Sequence, residues 1–153
     1  MQLLLAAVGR ARPSPERDLF EHYRRRLGWS LTLKEVEEKR PLPVAERMAR
    51  ESELLLAQVP AGSVLVVLDE RGKLIDSPTL AERLAQWRDG GRNHVTFMIG
   101  GADGHSEITR NRADFLLSLG VMTWPHMLVR AMLSEQLYRA ERILANHPYH
   151  RGN

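Results

Sequence analysis

Four short, continuously apolar runs constrain this chain's fold more than any other feature of its sequence. They are Leu3–Gly9 (LLLAAVG), Ser63–Asp69 (SVLVVLD), His94–Gly101 (HVTFMIGG) and Phe115–Gly120 (FLLSLG). None alternates apolar with polar residues, so none has a face meant for water. Strands of that kind belong to a parallel sheet covered by helices on both sides. Ser30–Glu38 (SLTLKEVEE) does alternate, as an edge or half-exposed strand would.

Between these runs the apolar period lengthens to that of a helix. Ser14 and Pro15 cap and open one helix, with Leu19, Phe20, Tyr23 and Leu27 on a common face. Val44, Met48, Leu55 and Val59 line a second. Ser77-Pro78 opens a third, with Leu80, Leu84 and Trp87 as its stripe. Pro125 precedes a long helical pattern from His126 to about Ala145, stopped by Asn146 and Pro148. Strand and helix alternate almost throughout. The expected class is therefore α/β, a mainly parallel sheet flanked by helices, in a single domain over residues 1–153.

The long last helix has two apolar faces. Val129, Met132, Leu133, Leu137, Ala140 and Leu144 make the broad one, and Met127, Ala131 and Tyr138 a narrower one opposite. One face against the core and the other against a second copy predicts a homodimer; a helix sandwiched within one chain has the same pattern.

Composition removes several function classes. With no cysteine there are no disulfides and no thiolate metal sites, which suits a reducing cytoplasm. The opening apolar run is far shorter than the ~20 residues of a bilayer span and lacks a basic leader, so no membrane association is expected. A net charge of +3 is compatible with a polyanionic partner without requiring one.

Chemistry-bearing residues gather after the apolar runs. MIGGADGHS (Met98–Ser106) sets Gly100, Gly101 and Gly104 just past a strand, where a tight backbone can approach a ligand. Neither the dinucleotide fingerprint nor a phosphate loop is present. VVLDERGK (Val66–Lys73) ends its run in a polar loop that brings Asp69, Glu70 and Arg71 to the same sheet edge. His126 lies in the first turn of the last helix, where amide dipoles disfavour its charged form, and Arg130 lies one turn on. Glu135 and Arg139 have the spacing of an intrahelical ion pair. His147 and His150 invite a metal reading, but Pro148 breaks the helix between them and no further ligand follows, so no metal is expected.

LDERGK with DSPTLAERL, FMIGGADG, LSLGVMTWPHMLVRAMLSEQLYRA and the closing NHPYHR together resemble the RlmH family of SPOUT methyltransferases, also called the YbeA family. The resemblance runs from LAAVG near the start to the end. It implies methyl transfer from S-adenosylmethionine to N3 of a pseudouridine in a hairpin loop of 23S ribosomal RNA, on the assembled ribosome, by a homodimer. It also implies a C-terminal deep trefoil knot, which general topology rules would have argued against. By the same resemblance, Leu68, Gly100, Gly101 and the stretch Leu119, Gly120, Val121, Met122, Thr123 and Trp124 hold the cofactor. Trp124 stands where relatives more often have leucine.

The catalytic candidates carried over are His126, Arg130, Tyr149, His150 and Arg151, and the RNA-facing ones Tyr138, Arg139 and His147. His150 or His126 would take the N3 proton, Arg151 or Arg130 would steady the developing charge, and Tyr149 would stack on the base. Pro148 would stiffen the closing residues into an arm that reaches a partner's cofactor loop. The alternatives are a SPOUT enzyme modifying another RNA position and a ribosome-binding factor without catalysis.

Overall fold

A computed structural model describes residues 1–152. Strands and helices alternate as β1 (Gln2–Val8), α1 (Pro15–Arg26), β2 (Ser30–Val36), α2 (Val44–Leu56), β3 (Val64–Leu74), α3 (Ser77–Asp89), β4 (His94–Ile99), α4 (Glu107–Arg112), β5 (Phe115–Ser118) and α5 (His126–Leu144). A 3-10 turn, Pro148–Gly152, follows α5. The five strands form one parallel sheet in the order β2-β1-β4-β3-β5. The alternating segment is indeed at an edge, and three of the apolar runs, β1, β4 and β3, are central.

Burial on both faces follows from the two-residue period of a strand. Leu3, Leu5, Val64, Val66, Val95 and Phe97 join Phe20, Leu84, Leu133 and Leu137 in a core beneath α1, α3 and α5. The intervening Ala6, Leu65, Val67 and Met98 meet Leu55 of α2 on the other face. Two of the helix starts on this face are capped locally: Ser14 accepts from the Arg17 amide at 3.1 Å and Asp76 from that of Thr79 at 2.8 Å.

Two expectations are corrected and one unforeseen element is added. The polar tract Asp69–Lys73 does not leave the sheet as a loop. It extends β3, which breaks register after Leu68 and pairs again with β5 at Lys73 and Leu74. Gly72 makes this possible, because a Cβ there would stand 2.7 Å from the backbone of Leu116. A short helix, α4, occupies a polar stretch with no helical stripe. Finally, the narrow face of α5 is covered within the chain. Tyr138, 5% exposed, packs against Tyr23 at 6.0 Å between ring centres, with the Arg26 guanidinium 4.7 Å from its ring, and Ala131 is fully buried. The helix is sandwiched between α1, α3 and the sheet, so that face is not free for a partner.

Candidate active site

Because all strands run the same way, their carboxyl ends open onto one edge, the usual place for a ligand in such sheets. A cavity of about 470 Å³ lies there. Leu68, Asp69, Glu70 and Arg71 of β3 form one wall, and the loop from Gly100 to His105 forms a second. Leu119, Gly120, Met122, Thr123 and Trp124 form a third, closed by Met48, Arg110, His126 and Val129. The glycine loop folds back on itself: the Gly104 amide donates to the Gly101 carbonyl at 3.0 Å, and Gly104 has φ +81°, a conformation that favours glycine.

Two consecutive glycines are pressed by buried polar side chains. A Cβ on Gly100 would come 3.1 Å from Cε1 of His105, and one on Gly101 would come 2.7 Å from Oε2 of Glu51. Burial pushes the Glu51 carboxyl above its ordinary range, with Arg47 pulling it down and the like charges of Asp103 and Glu38 adding to the rise. Its Oε1, the His105 Nε2 and the Trp124 Nε1 are buried and find no hydrogen-bond partner among the described residues. Arg47 is itself held by Asp103 at 2.8 Å, and Arg110 lies 3.7 Å from Asp69. The cavity therefore offers acidic groups (Asp69, Glu70) and cations (Arg71, Arg110) within apolar walls, a composition suited to a mid-sized, partly charged ligand.

The residues expected to hold the cofactor meet here with one exception. Leu68, Gly100, Gly101, Leu119, Gly120, Met122, Thr123 and Trp124 all line the cavity, whereas Val121 is 90% exposed and does not. Of the catalytic candidates only His126 lines it. Burial lowers the His126 pKa and the nearby Arg130 lowers it further, so its imidazole is neutral at pH 7. The sequence had suggested the helix dipole as the cause.

Arg130 itself does not fit a substrate-facing role. It is 2% exposed, pairs with Glu35 at 2.6 Å and donates to the carbonyls of Gly9 at 3.0 Å and Val8 at 3.3 Å. Burial pushes the Glu35 carboxyl up, but the Arg130 hydrogen bond, the Ala11 amide and the charges of Arg130 and Arg10 bring it below its ordinary range. Arg130 thus ties α5 to β1 and β2. Tyr138, expected to face RNA, is core.

The closing residues lie apart from this cavity. Tyr149 donates to Glu135 Oε1 at 3.0 Å and packs edge-on against Tyr138 at 4.9 Å, so its ring is engaged rather than held out for a base. Arg139 makes the expected pair with Glu135 at 2.7 Å, lies over the Tyr149 ring and reaches His150 Nδ1 at 3.3 Å. His147 and Arg151 are exposed, and Asn153 lies outside the described residues. No group of three or more potential metal ligands occurs among the described residues.

Sequence reasoning missed Glu51 and His105. His105 was visible in the glycine-loop motif but gave no reason to be weighed. Glu51 had no signal at all: it is one of several charges on an amphipathic helix, and only the fold turns it inward.

The fold and cavity define the class as an α/β protein with a ligand cavity at the carboxyl edge of a parallel sheet. A probable methylase family protein from Haemophilus influenzae Rd KW20 superposes with a TM-score of 0.56 at 12% identity, over 94% of this chain and 66% of that one. A putative methylase family protein from Neisseria gonorrhoeae gives 0.53 at 12% identity, over 90% of this chain and 81% of that one. The family model described as "Predicted SPOUT methyltransferase" matches residues 1–150, and the chain belongs to the SPOUT methyltransferase family. It is 61% identical over 152 residues to the ribosomal RNA large subunit methyltransferase H of Rhodospirillum centenum, covering 99% of this chain and 100% of that protein. It is 60% identical to the protein of the same name from Paramagnetospirillum magneticum, with 99% of each chain covered.

Proposed function

We propose that the protein transfers a methyl group from S-adenosylmethionine to large-subunit ribosomal RNA, at N3 of a pseudouridine in a hairpin loop of 23S rRNA. It does so in the cytoplasm, on the assembled ribosome, as a homodimer. The observation that carries the reading is the cavity, which gathers Leu68, the two glycines and the loop Leu119–Trp124 at one sheet edge. Its size lies within the range of small-ligand sites. The acidic Asp69 and Glu70 and the Gly100–Gly101 backbone fit a ligand with both hydrogen-bonding groups and positive charge.

When bound, S-adenosylmethionine supplies a methyl group already activated on a sulfonium. The chain then has to orient the acceptor, exclude water and take the N3 proton. His126 is suited to the last task, since it is neutral and in the cavity wall. Its ring nitrogen would take the N3 proton as the methyl group passes from sulfur to N3 and S-adenosylhomocysteine is left behind. A charge of +3 supplies few phosphate contacts, which favours a ribosomal particle over a free hairpin as substrate. Mass spectrometry of 23S rRNA from cells lacking the protein is expected to show one pseudouridine without its methyl group, restored by the intact gene. An unchanged modification pattern sinks the reading.

One surface available to the dimer is an apolar groove of about 600 Å³ beside α5, where Leu19, Leu74, Ile75 and Met132 line it with Tyr23 and Gln136. Leu74 is 65% exposed, an unusual position for leucine at the end of a strand. Replacing Leu74 and Met132 together with glutamate is expected to convert the dimer into a 17.5 kDa species in sedimentation at micromolar concentration. A dimer that survives both changes lies elsewhere.

A further inference from the structure

The last turn of α1, Arg24-Arg25-Arg26, meets the second half of α5 and the closing 3-10 turn at one corner of the molecule. Three tyrosines join them. Between ring centres, Tyr138 of α5 lies 6.0 Å from Tyr23 of α1 and 4.9 Å from Tyr149 of the closing turn. Arginines cover this cluster: the guanidinium of Arg26 stands 4.7 Å and that of Arg142 5.3 Å from the Tyr138 ring centre. Arg26 also donates to the Tyr138 hydroxyl at 3.2 Å, and its Nη1 lies 3.2 Å from His22 Nε2.

The charges at this corner do not balance. Arg24 pairs with Glu21 at 3.0 Å, Arg139 with Glu135 at 2.7 Å, and Arg142 with Glu141. Those carboxylates have further donors to satisfy. Glu135 accepts from Tyr149, and Glu141 from the amides of Gly28 at 3.0 Å and Trp29 at 2.8 Å. Arg25, Arg26 and Arg151 are exposed and have no carboxylate partner among the described residues. A guanidinium carries five N–H donors, so the two contacts of Arg26 leave others facing solvent while the Tyr138 ring steadies the plane.

We infer that Arg25 and Arg26 form a phosphate-binding surface for ribosomal RNA, holding the strand beside the target loop. Two consecutive arginines suit a strand that carries a charge on every nucleotide, and guanidinium forks match phosphate oxygens. The place fits the task, because Arg26 and Tyr149 of the tail both rest on the Tyr138 ring, so RNA gripped here lies next to the tail. The inference rests on the proposed rRNA substrate and adds α1 to the surface that holds it.

Arg25→Gln combined with Arg26→Gln removes both charges. Binding of the full-length variant to large ribosomal subunits, measured across a range of salt concentrations, is expected to be at least about tenfold weaker at low salt. The slope of log affinity against log salt should fall by about 1.5, the share of two phosphates. Affinity for S-adenosylhomocysteine should stay within about twofold, and Arg25→Lys with Arg26→Lys should keep most of the slope. A merely structural role would lower the melting temperature and leave the slope alone, which overturns the inference. Protein-free 23S rRNA at ~50 mM salt supplies the second arm. The same loss of slope there places the contact on RNA. A loss confined to the assembled subunit points to an acidic ribosomal protein instead and also overturns the inference. If the unaltered protein binds neither subunits nor rRNA, the rRNA reading falls, and this inference with it.

Discussion

Replacing Gly101 with valine is expected to weaken S-adenosylmethionine binding by more than about 100-fold, a loss of roughly 2.7 kcal/mol. The valine Cβ would lie 2.7 Å from Oε2, 2.9 Å from Oε1 and 3.1 Å from Cδ of Glu51. That carboxyl is the far end of a side chain on α2, but it is only 7% exposed, so the collision is shared with the glycine loop. It gives way at the cavity, because Gly100 to His105 form one of its walls. The collision is with Glu51 rather than with the ligand, which makes the effect reversible. Gly101→Val combined with Glu51→Ala removes the obstructing carboxylate and should regain most of the affinity. Calorimetry on folded protein reads both results. Unchanged affinity in the single variant would remove the glycine loop from the cofactor site.

The same pair of residues shows how far the sequence could be read. Gly100 and Gly101 were legible because they follow a strand buried on both faces, and a parallel sheet presents such ends at one edge. Glu51 was not, because its position depends on how α2 lies across β1 and β3, which no local pattern encodes. The strand order β2-β1-β4-β3-β5 was likewise hidden, since periodicity states what each strand buries and not which strand it joins. Arg130 and Tyr138 illustrate the same limit. A polar residue one turn into a helix looks available, yet Arg130 finds Glu35 from 95 positions away, and Tyr138 finds the Arg26 guanidinium from 112 away. The polar tract of β3 failed for another reason. Its strand geometry is imposed by pairing with β5 around Gly72, so side-chain alternation carries no trace of it.

Deleting residues 149 to 153 is expected to abolish methyl transfer, with a loss of at least about 1,000-fold, while S-adenosylmethionine binding persists, because no residue from His147 to Arg151 lines the cavity. The deletion also costs stability. Burial and hydrogen bonding to Tyr23 and Glu135 hold the Tyr149 phenol protonated, so it donates to Glu135 and packs against Tyr138. Removing these contacts should lower the stability by about 1–3 kcal/mol, visible in the melting temperature but short of unfolding. A tail anchored on its own α5 and absent from its own cavity would serve catalysis across a subunit boundary. His150 and Arg151 of one copy would then complete the cavity of the other. Two inactive proteins test this directly. One lacks residues 149 to 153 and keeps its cavity; the other carries Gly101→Val and keeps its tail. In a mixed dimer, one of the two composite sites has an intact cavity facing an intact tail, and mixing should restore methylation of ribosomal particles. If activity returns on mixing, the active site is shared between subunits. If the truncated protein alone methylates at a near-normal rate, the tail is packing and nothing more. If both single proteins are inactive and the mixture stays so despite forming mixed dimers, the tail acts within its own chain, and the separation of Tyr149 and His150 from the cavity must close by movement of the tail.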